Sequence, residues 1–270
     1  MQYIDQHLHT DSSEDSIAAM KDMAAAASTA GLDAICFTDH CDLIYFNRAG
    51  VPDPNCYEYW SRSVREYNEM GKFPGLKVRI GMELGAINQD PENARRCYET
   101  EGLDFTLGSV HSMRDQVDFC LIKYRDYDEC RNMVAQYLDE NIETAKLGYF
   151  DSLAHVGYTI RYMMPYGIEI DYTQFEDMLK ELYSILIHSG KGLELNTSGL
   201  RQGAGTMFPT KYMIELYRQC GGEIVTVGSD AHSPGDVGSC FEQATELLVG
   251  VGFRYMAVYE KHKPSFVKIR

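Results

Sequence analysis

A closed or nearly closed α/β barrel is the fold this sequence predicts, and three observations predict it. Short apolar runs alternate with helical segments along the chain, the pattern of repeated β–α units around a parallel sheet. Seven such runs stand out and an eighth is weaker, a number that suits a barrel; a doubly wound open sheet is the alternative. Six of the eight histidines sit at the ends of these runs. In a parallel barrel the C-terminal strand ends meet on one face, where barrel enzymes keep their active sites. No G-x-G-x-x-G follows the first run and no G-x-x-x-x-G-K-[ST] occurs, so two common phosphate-cradling signatures are missing.

The elements follow in order. The first strand covers about 3–9. An alanine-rich helix runs from Ser16 to about Ala30, with Gly31 placed to end it in the left-handed conformation. Ala34-Ile35-Cys36-Phe37-Thr38 is the second strand. A loop holding Pro52 and Pro54 leads into a helix near 57–70. Lys77–Glu83 forms the third strand and Phe105–His111 the fourth. The segment 124–147 reads as a long amphipathic helix ended by Gly148, and Phe150–His155 as the fifth strand. An irregular Tyr- and Met-rich stretch, 156–168, precedes a helix over 172–188. Gly192–Asn196 is the sixth strand, Pro209 starts a helix, and Glu223–Val227 is the seventh strand. A last helix near 236–250 is followed by the weaker run Tyr255–Tyr259.

The length of 270 residues suits one domain spanning 1–270, and 44% hydrophobic residues supply an ordinary packed core. The balance of 25 Lys+Arg against 40 Asp+Glu leaves a net charge of −15. So acidic a surface repels a phosphate backbone, which argues against nucleic acid as the partner. The substrate is expected to be small, or cationic somewhere. None of the eight cysteines forms a C-x-x-C pair, so free thiols in a reducing compartment are expected. Cys36 and Cys41 lie near His40 but read as strand thiols rather than metal ligands. The N-terminus lacks a basic region followed by an apolar one, and no stretch reaches the ~18 apolar residues that span a bilayer. A soluble, cytoplasmic protein without membrane partners is therefore expected; its oligomeric state is not read.

The strand ends carry the chemistry. Side chains two apart on a strand share a face, so His7 and His9 can grip one ion together. His40 ends strand two, Glu83 strand three, His111 strand four and His155 strand five. Asp230-Ala231-His232 closes strand seven and repeats the two-residue spacing with a carboxylate and an imidazole. A lone histidine after a strand is usually a satisfied polar residue. Six histidines and two acids at successive strand ends instead point to a cluster of divalent metals and to hydrolytic chemistry. His188, near a helix C-terminus, and His262, in a basic tail, are read as bystanders.

These residues form a pattern. H-x-H-T at the N-terminus, T-D-H near 40, G-M-E near 83, G-S-V-H-S near 111, A-H near 155 and S-D-A-H near 232 resemble the PHP (polymerase and histidinol phosphatase) family over about 1–265. Motif order, chain length and the closing Tyr259-Glu260-Lys261-His262-Lys263-Pro264 look most like its histidinol-phosphatase branch. The resemblance implies a distorted (β/α)7 TIM-like barrel with the metal site at the C-terminal ends of the strands. It also implies three metals: one held by His7, His9, Glu83 and Asp230, a second by Glu83, His111 and His155, a third by Asp15, His40 and His232. Asp15 alternatively reads as a helix N-terminal acid. Nitrogen and oxygen ligands without thiolate fit zinc, manganese or iron, with two or three ions bound.

The reaction implied is hydrolysis of L-histidinol phosphate to L-histidinol and phosphate, with a metal-bridging hydroxide attacking phosphorus and no Ser or Cys nucleophile. Glu83, Asp230 and His232 are the residues expected at the chemistry; Asp230 and His232 are candidate general acids, and that role is left unassigned. Arg161 and Arg201 are expected to bind the phosphate, since arginine forks match its oxygens. Arg114 and Lys123 are weaker candidates. The 156–168 stretch is read as a wall of the pocket, and rim acids such as Asp42 as partners for the substrate amine. Phosphotyrosine or nucleotide hydrolysis, a metal-dependent amidohydrolase and a non-catalytic metal-binding protein are the competing readings.

Overall fold

The computed structural model describes residues 3–269. Its elements are β1 (Ile4–Leu8), α1 (Met20–Thr29), β2 (Ala34–Phe37), β3 (His40–Asp42), α2 (Cys56–Glu69), β4 (Lys77–Gly85), α3 (Pro91–Tyr98), β5 (Phe105–Ser109) and α4 (Tyr127–Leu147). They continue with β6 (Ser152–Leu153), α5 (Ile160–Met163), α6 (Glu176–Ser189), β7 (Gly192–Asn196), α7 (Lys211–Gln219), β8 (Val225–Gly228), α8 (Phe241–Val251), β9 (Tyr255–Glu260) and β10 (Lys263–Lys268).

The parallel sheet runs β1-β2-β4-β5-β6-β7-β8, with β3 pairing the second half of β4. The circle closes just beyond the strand ends: Leu8 bridges Ala231 in parallel, Asp230 N–H donates to His7 O at 2.8 Å, and His9 N–H donates to Ala231 O at 2.9 Å. This is the distorted seven-stranded α/β barrel, and the open-sheet alternative is set aside by that closure. The distortion is local. β2 and β3 share one place in the ring, interrupted at Thr38-Asp39, and β1 shifts register between Asp5 and Leu8. That shift lets neighbouring Gln6 and His7 serve different ends of the barrel.

Core packing follows the pattern of repeated β–α units. Met20, Met23, Ala24 and Ala27 of α1 pack with Leu8, Ile35 and Phe37 of β1 and β2. A larger cluster joins α4, α6 and α7 to the sheet through Leu138, Tyr183, Leu186, Tyr217 and Leu193. Among the described residues no helix is long and apolar enough to cross a membrane.

Several boundaries differ from the sequence reading. The first helix starts at Met20 rather than Ser16, because Ser16 Oγ donates to His232 O and the segment before Met20 crosses the rim. The fifth strand shrinks to Ser152–Leu153, since His155 leaves the sheet at φ +29°. The helix read over 124–147 begins at Tyr127, where the Asp126 carboxylate accepts from the N–H groups of Asp128 and Glu129. The helix read over 172–188 opens as a 3₁₀ turn before α6. Pro209 precedes the cap residue Thr210 instead of starting α7. The last helix starts at Phe241, after Cys240 takes a left-handed conformation. Four elements were not anticipated: β3, which continues past His40; α3, announced by Asp90-Pro91; the short α5 within the stretch read as irregular; and β10.

The weaker eighth run is a strand, but it lies outside the barrel wall. β9 pairs antiparallel with β10, and the hairpin crosses the N-terminal ends of the barrel strands. Gln6 Nε2 donates to Ala257 O at 2.8 Å, Tyr259 OH donates to Asp151 O at 3.2 Å, and His262 N–H donates to Asp104 O at 3.0 Å. Ala257 and Tyr259 pack with Cys36, Phe105, Leu107 and Ala154. The hairpin thus plugs the barrel floor and leaves the opposite rim for a site.

Candidate metal centre

All nine residues singled out as ligands arrive at that rim. Register does much of the placing. Pairing of β3 with β4 sets His40 beside Glu83, and the closure of β1 on the segment after β8 sets His7 and His9 beside Asp230. His155 and Asp230 both have positive φ, +29° and +55°, in the region that side chains disfavour. Each is held there by an N–H: His155 N–H donates to Glu194 Oε2 at 3.0 Å, and Asp230 N–H to His7 O.

Glu83 is the hub. Its Oε2 lies 3.3 Å from His7 Nε2, 3.5 Å from His9 Nε2 and 3.0 Å from His40 Nδ1. Its Oε1 lies 2.8 Å from His155 Nε2 and 3.2 Å from His111 Nε2. Asp230 Oδ1 completes the first group at 3.8 Å from His7 Nε2 and 3.5 Å from His9 Nε2. On the outer side, Asp15 Oδ2 lies 3.0 Å from His232 Nε2 and 3.7 Å from His40 Nε2. Ligand atoms around a tetrahedral zinc ion stand roughly 3.4 Å apart, given bonds of about 2.0–2.2 Å. The first group matches that spacing.

The donor set itself fits cations. His7 Nδ1 lies 2.6 Å from Glu194 Oε1, so Nδ1 carries a proton and Nε2 is the nitrogen left to face a cation or a second proton. His9 Nδ1 lies 3.1 Å from Ser13 Oγ, whose own proton goes to Asp39 Oδ1 at 2.8 Å, so His9 has the same tautomer. The two Nε2 atoms then face each other at 3.0 Å. Two lone pairs so close repel unless a proton or a cation lies between them. His111 is oriented alike by Asp42 Oδ1 at 3.1 Å, and its Nε2 stands 3.5 Å from His155 Nε2. His232 Nδ1 lies 3.1 Å from Asp230 O, which leaves the buried Nε2 facing Asp15 Oδ2 at 3.0 Å.

The electrostatics are those of opposite charges packed together. Burial pushes Glu83 and Asp230 up, but His7, His111 and His40 around the first, and His7, His9 and Arg161 around the second, hold both well below the carboxylate range. Burial pulls His111 down, yet Glu83 and Asp42 lift it to about 10. Burial opposes the rise in His7 and His40 as well, and neighbouring carboxylates again prevail. His9 goes the other way, down to about 3, through burial and the charges of His232 and His40.

Both arginines singled out reach the centre, in different ways. Arg161 Nη2 donates to Ser198 Oγ at 2.5 Å and Asp230 Oδ2 at 3.2 Å, its guanidinium lies over the Tyr158 ring, and its buried Nε has no hydrogen-bond partner. Arg201 instead holds backbone: it donates to Ser229 O at 2.8 Å and Asp230 O at 3.2 Å and pairs with Asp236. Arg114 pairs with Glu143 and is half exposed, and Lys123 is exposed; neither joins the centre. His188 and His262 lie elsewhere, the first against Ser184 O and the second against Asp151. Cys36 and Cys41 are free and buried, with Cys41 Sγ 3.9 Å from Cys97 Sγ. Of the Tyr- and Met-rich stretch, Tyr158 and Tyr162 line a cavity beside the centre, while Met163 is core.

That cavity has a volume of about 430 Å³. His40, His111 and Asp15 form its inner side, Glu14, Asp42, Asp53 and Asp118 add acids, and Phe46, Tyr59, Tyr158 and Tyr162 add rings. The sequence reading missed Glu194, the Ser13–Asp39 relay, Asp118 and Tyr59. Two of these left a trace: Glu194 as a charged residue between two leucines in an apolar strand, and Asp39 as the aspartate of the T-D-H motif.

Comparisons with known proteins bear on the fold and the family. The PHP domain matches residues 5–198. A probable histidinol-phosphatase of Thermotoga maritima is 28% identical over 267 residues, covering 99% of this chain and all of the relative. The histidinol-phosphatase of Bacillus subtilis is 27% identical, covering 91% of this chain and 99% of the relative. The crystal structure of histidinol phosphate phosphatase from Lactococcus lactis, complexed with zinc, L-histidinol and phosphate, has the same fold: TM-score 0.81 at 24% identity, over 98% of this chain and 99% of that one. With the domain matched across more than half its length, and the motifs carried on one rim, this chain belongs to the PHP family.

Proposed function

We propose that this protein is a metal-dependent phosphatase that hydrolyses L-histidinol phosphate to L-histidinol and phosphate. The observation that carries the reading is Glu83, whose two oxygens face two separate sets of imidazoles, as a bridging carboxylate must. Full-length relatives that bear the histidinol-phosphatase name support the substrate. In this reading His7, His9, Glu83 and Asp230 hold one ion, Glu83, His111 and His155 a second, and Asp15, His40 and His232 a third. Zinc is the first candidate, since the Lactococcus relative was crystallised with it, and manganese or iron suit the same donors. Such ions, when bound, polarise phosphoryl oxygens and supply hydroxide near neutral pH.

The chain's own residues do the rest. The Arg161 Nε, buried and unpartnered beside Asp230, offers a charged donor to a phosphate oxygen. Arg201 braces the Ser229–Asp230 backbone and so keeps that ligand in place. The acidic, ring-lined cavity accepts the leaving alcohol: Asp42 and Asp118 suit the ammonium group, and Tyr158 or Tyr162 the imidazole. Asp42 also orients His111, so substrate charge and ligand orientation meet in one carboxylate.

Phosphate release from L-histidinol phosphate, phosphotyrosine and AMP, with metal-loaded and chelator-stripped enzyme, tests the reading. The expected result is chelator-sensitive release that strongly favours L-histidinol phosphate. Equal slow release from all three would leave a metallophosphatase with another substrate, and no release from any would remove the reading altogether.

A further inference from the structure

We infer that Glu194 is a positioning residue that couples two of the metal sites, setting the imidazole tautomer of His7 and the backbone of His155 with one carboxylate. The inference rests on the metal assignments proposed above. Glu194 sits in β7 between Leu193 and Leu195, both wholly buried, and is itself 1% exposed. No lysine or arginine pairs with it among the described ion pairs; its partners are all hydrogen-bond donors. Oε1 accepts from His7 Nδ1 at 2.6 Å, and Oε2 accepts from His155 N–H at 3.0 Å and Asn196 Nδ2 at 3.1 Å. A buried carboxylate is costly and persists where donors and a nearby cation satisfy it.

The two oxygens serve different sites. Through Oε1, Glu194 fixes the proton on His7 Nδ1 and leaves Nε2 free to face an ion. Through Oε2, it holds His155 at its disfavoured φ of +29°, which turns that ring toward Glu83 Oε1. The fold makes room for it. Gly228, opposite Asn196 in β8, has no side chain where a Cβ would collide with both His7 Cβ and Glu194 Oε1.

The arrangement cannot survive a subtle change. A carboxylate offers an acceptor on each side; a glutamine of the same shape offers one acceptor and one donor. Glu194→Gln therefore satisfies either His7 Nδ1–H or His155 N–H and places an NH₂ group against the other. Glu194→Asp keeps the charge but is one methylene too short to reach both.

The test measures zinc bound per chain by mass spectrometry and zinc affinity by chelator competition, for wild type, Glu194→Gln and Glu194→Asp, with circular dichroism to verify folding. Both variants are expected to fold and to bind zinc about ten- to a hundredfold more weakly. Unchanged stoichiometry and affinity in both would overturn the inference while leaving the metal reading intact; a wild type that binds no zinc would overturn both. Nitrogen-15 NMR of the zinc-loaded wild type needs no variant. His7 is expected to show a protonated, strongly hydrogen-bonded Nδ1 and a zinc-bound Nε2, whereas zinc on Nδ1 would overturn the role given to Glu194.

Discussion

Glu83 and Arg161 divide the labour at the scale of single residues. Glu83 touches five imidazoles with two oxygens, so Glu83→Ala removes a ligand from two proposed ions at once. Turnover is expected to fall to the level of chelator-stripped protein, and bound zinc to fall by at least one ion per chain; steady-state kinetics beside metal analysis checks it. Arg161→Ala leaves all nine proposed ligands in place but removes a charged donor, so kcat/KM is expected to fall about 10²–10³-fold with zinc content preserved. Loss of zinc instead would make Arg161 a brace for Asp230 rather than a phosphate donor. These residues were legible because chemistry and position coincide: an imidazole or carboxylate at a strand end needs no further information. Glu194 was not, because its partners lie 187 and 39 residues away and meet it only through the register of the folded barrel. Arg201 was legible as a rim residue, but not the backbone carbonyls it binds.

The elements show the same division. Strands β4, β5, β7 and β8 were readable as short apolar runs alternating with helical segments. β6 was overestimated because His155 leaves the sheet early to reach its neighbours, and α1 because the segment 16–19 has to cross the rim with Ser16 bonded to His232 O. α3 carried a signal, a capping aspartate followed by proline, in the stretch between the third and fourth strands, to which the sequence reading assigns no element. Of the final hairpin only β9 was readable as strand; β10 and the reversal of direction were not, since the turn residues Lys261 and His262 are not the usual Asn-Gly pair. Its role as a floor can be measured. Tyr259 is buried against Phe105 and reaches Asp151 O, so Tyr259→Ala is expected to cost about 3–5 kcal/mol. Urea unfolding reads that loss; zinc affinity of the folded variant should change little, because the hairpin and the rim lie at opposite ends. A variant as stable as wild type would deny the hairpin its structural role.

At the scale of the whole molecule, an acidic chain brings carboxylates and imidazoles from strands over 200 residues apart onto one rim, at the cost of burying charge. Cations that bind the folded rim and not the open chain return that cost. Zinc at a hundred times its dissociation constant is expected to stabilise the fold by about 2.7 kcal/mol per site, and a chelator to reverse it. A melting temperature indifferent to both would contradict a preorganised centre. The barrel class and its near closure were readable from the alternation and number of the strands, whereas the bonds that close it were not, because they run from His9 and Asp230 beyond the strands proper. The most direct test of the centre is an anomalous difference map from crystals of the zinc-loaded protein. The account expects peaks enclosed by His7, His9, Glu83 and Asp230, by Glu83, His111 and His155, and by Asp15, His40 and His232. Zinc found only at His188 or at surface thiols, with none touching Glu83, would contradict it.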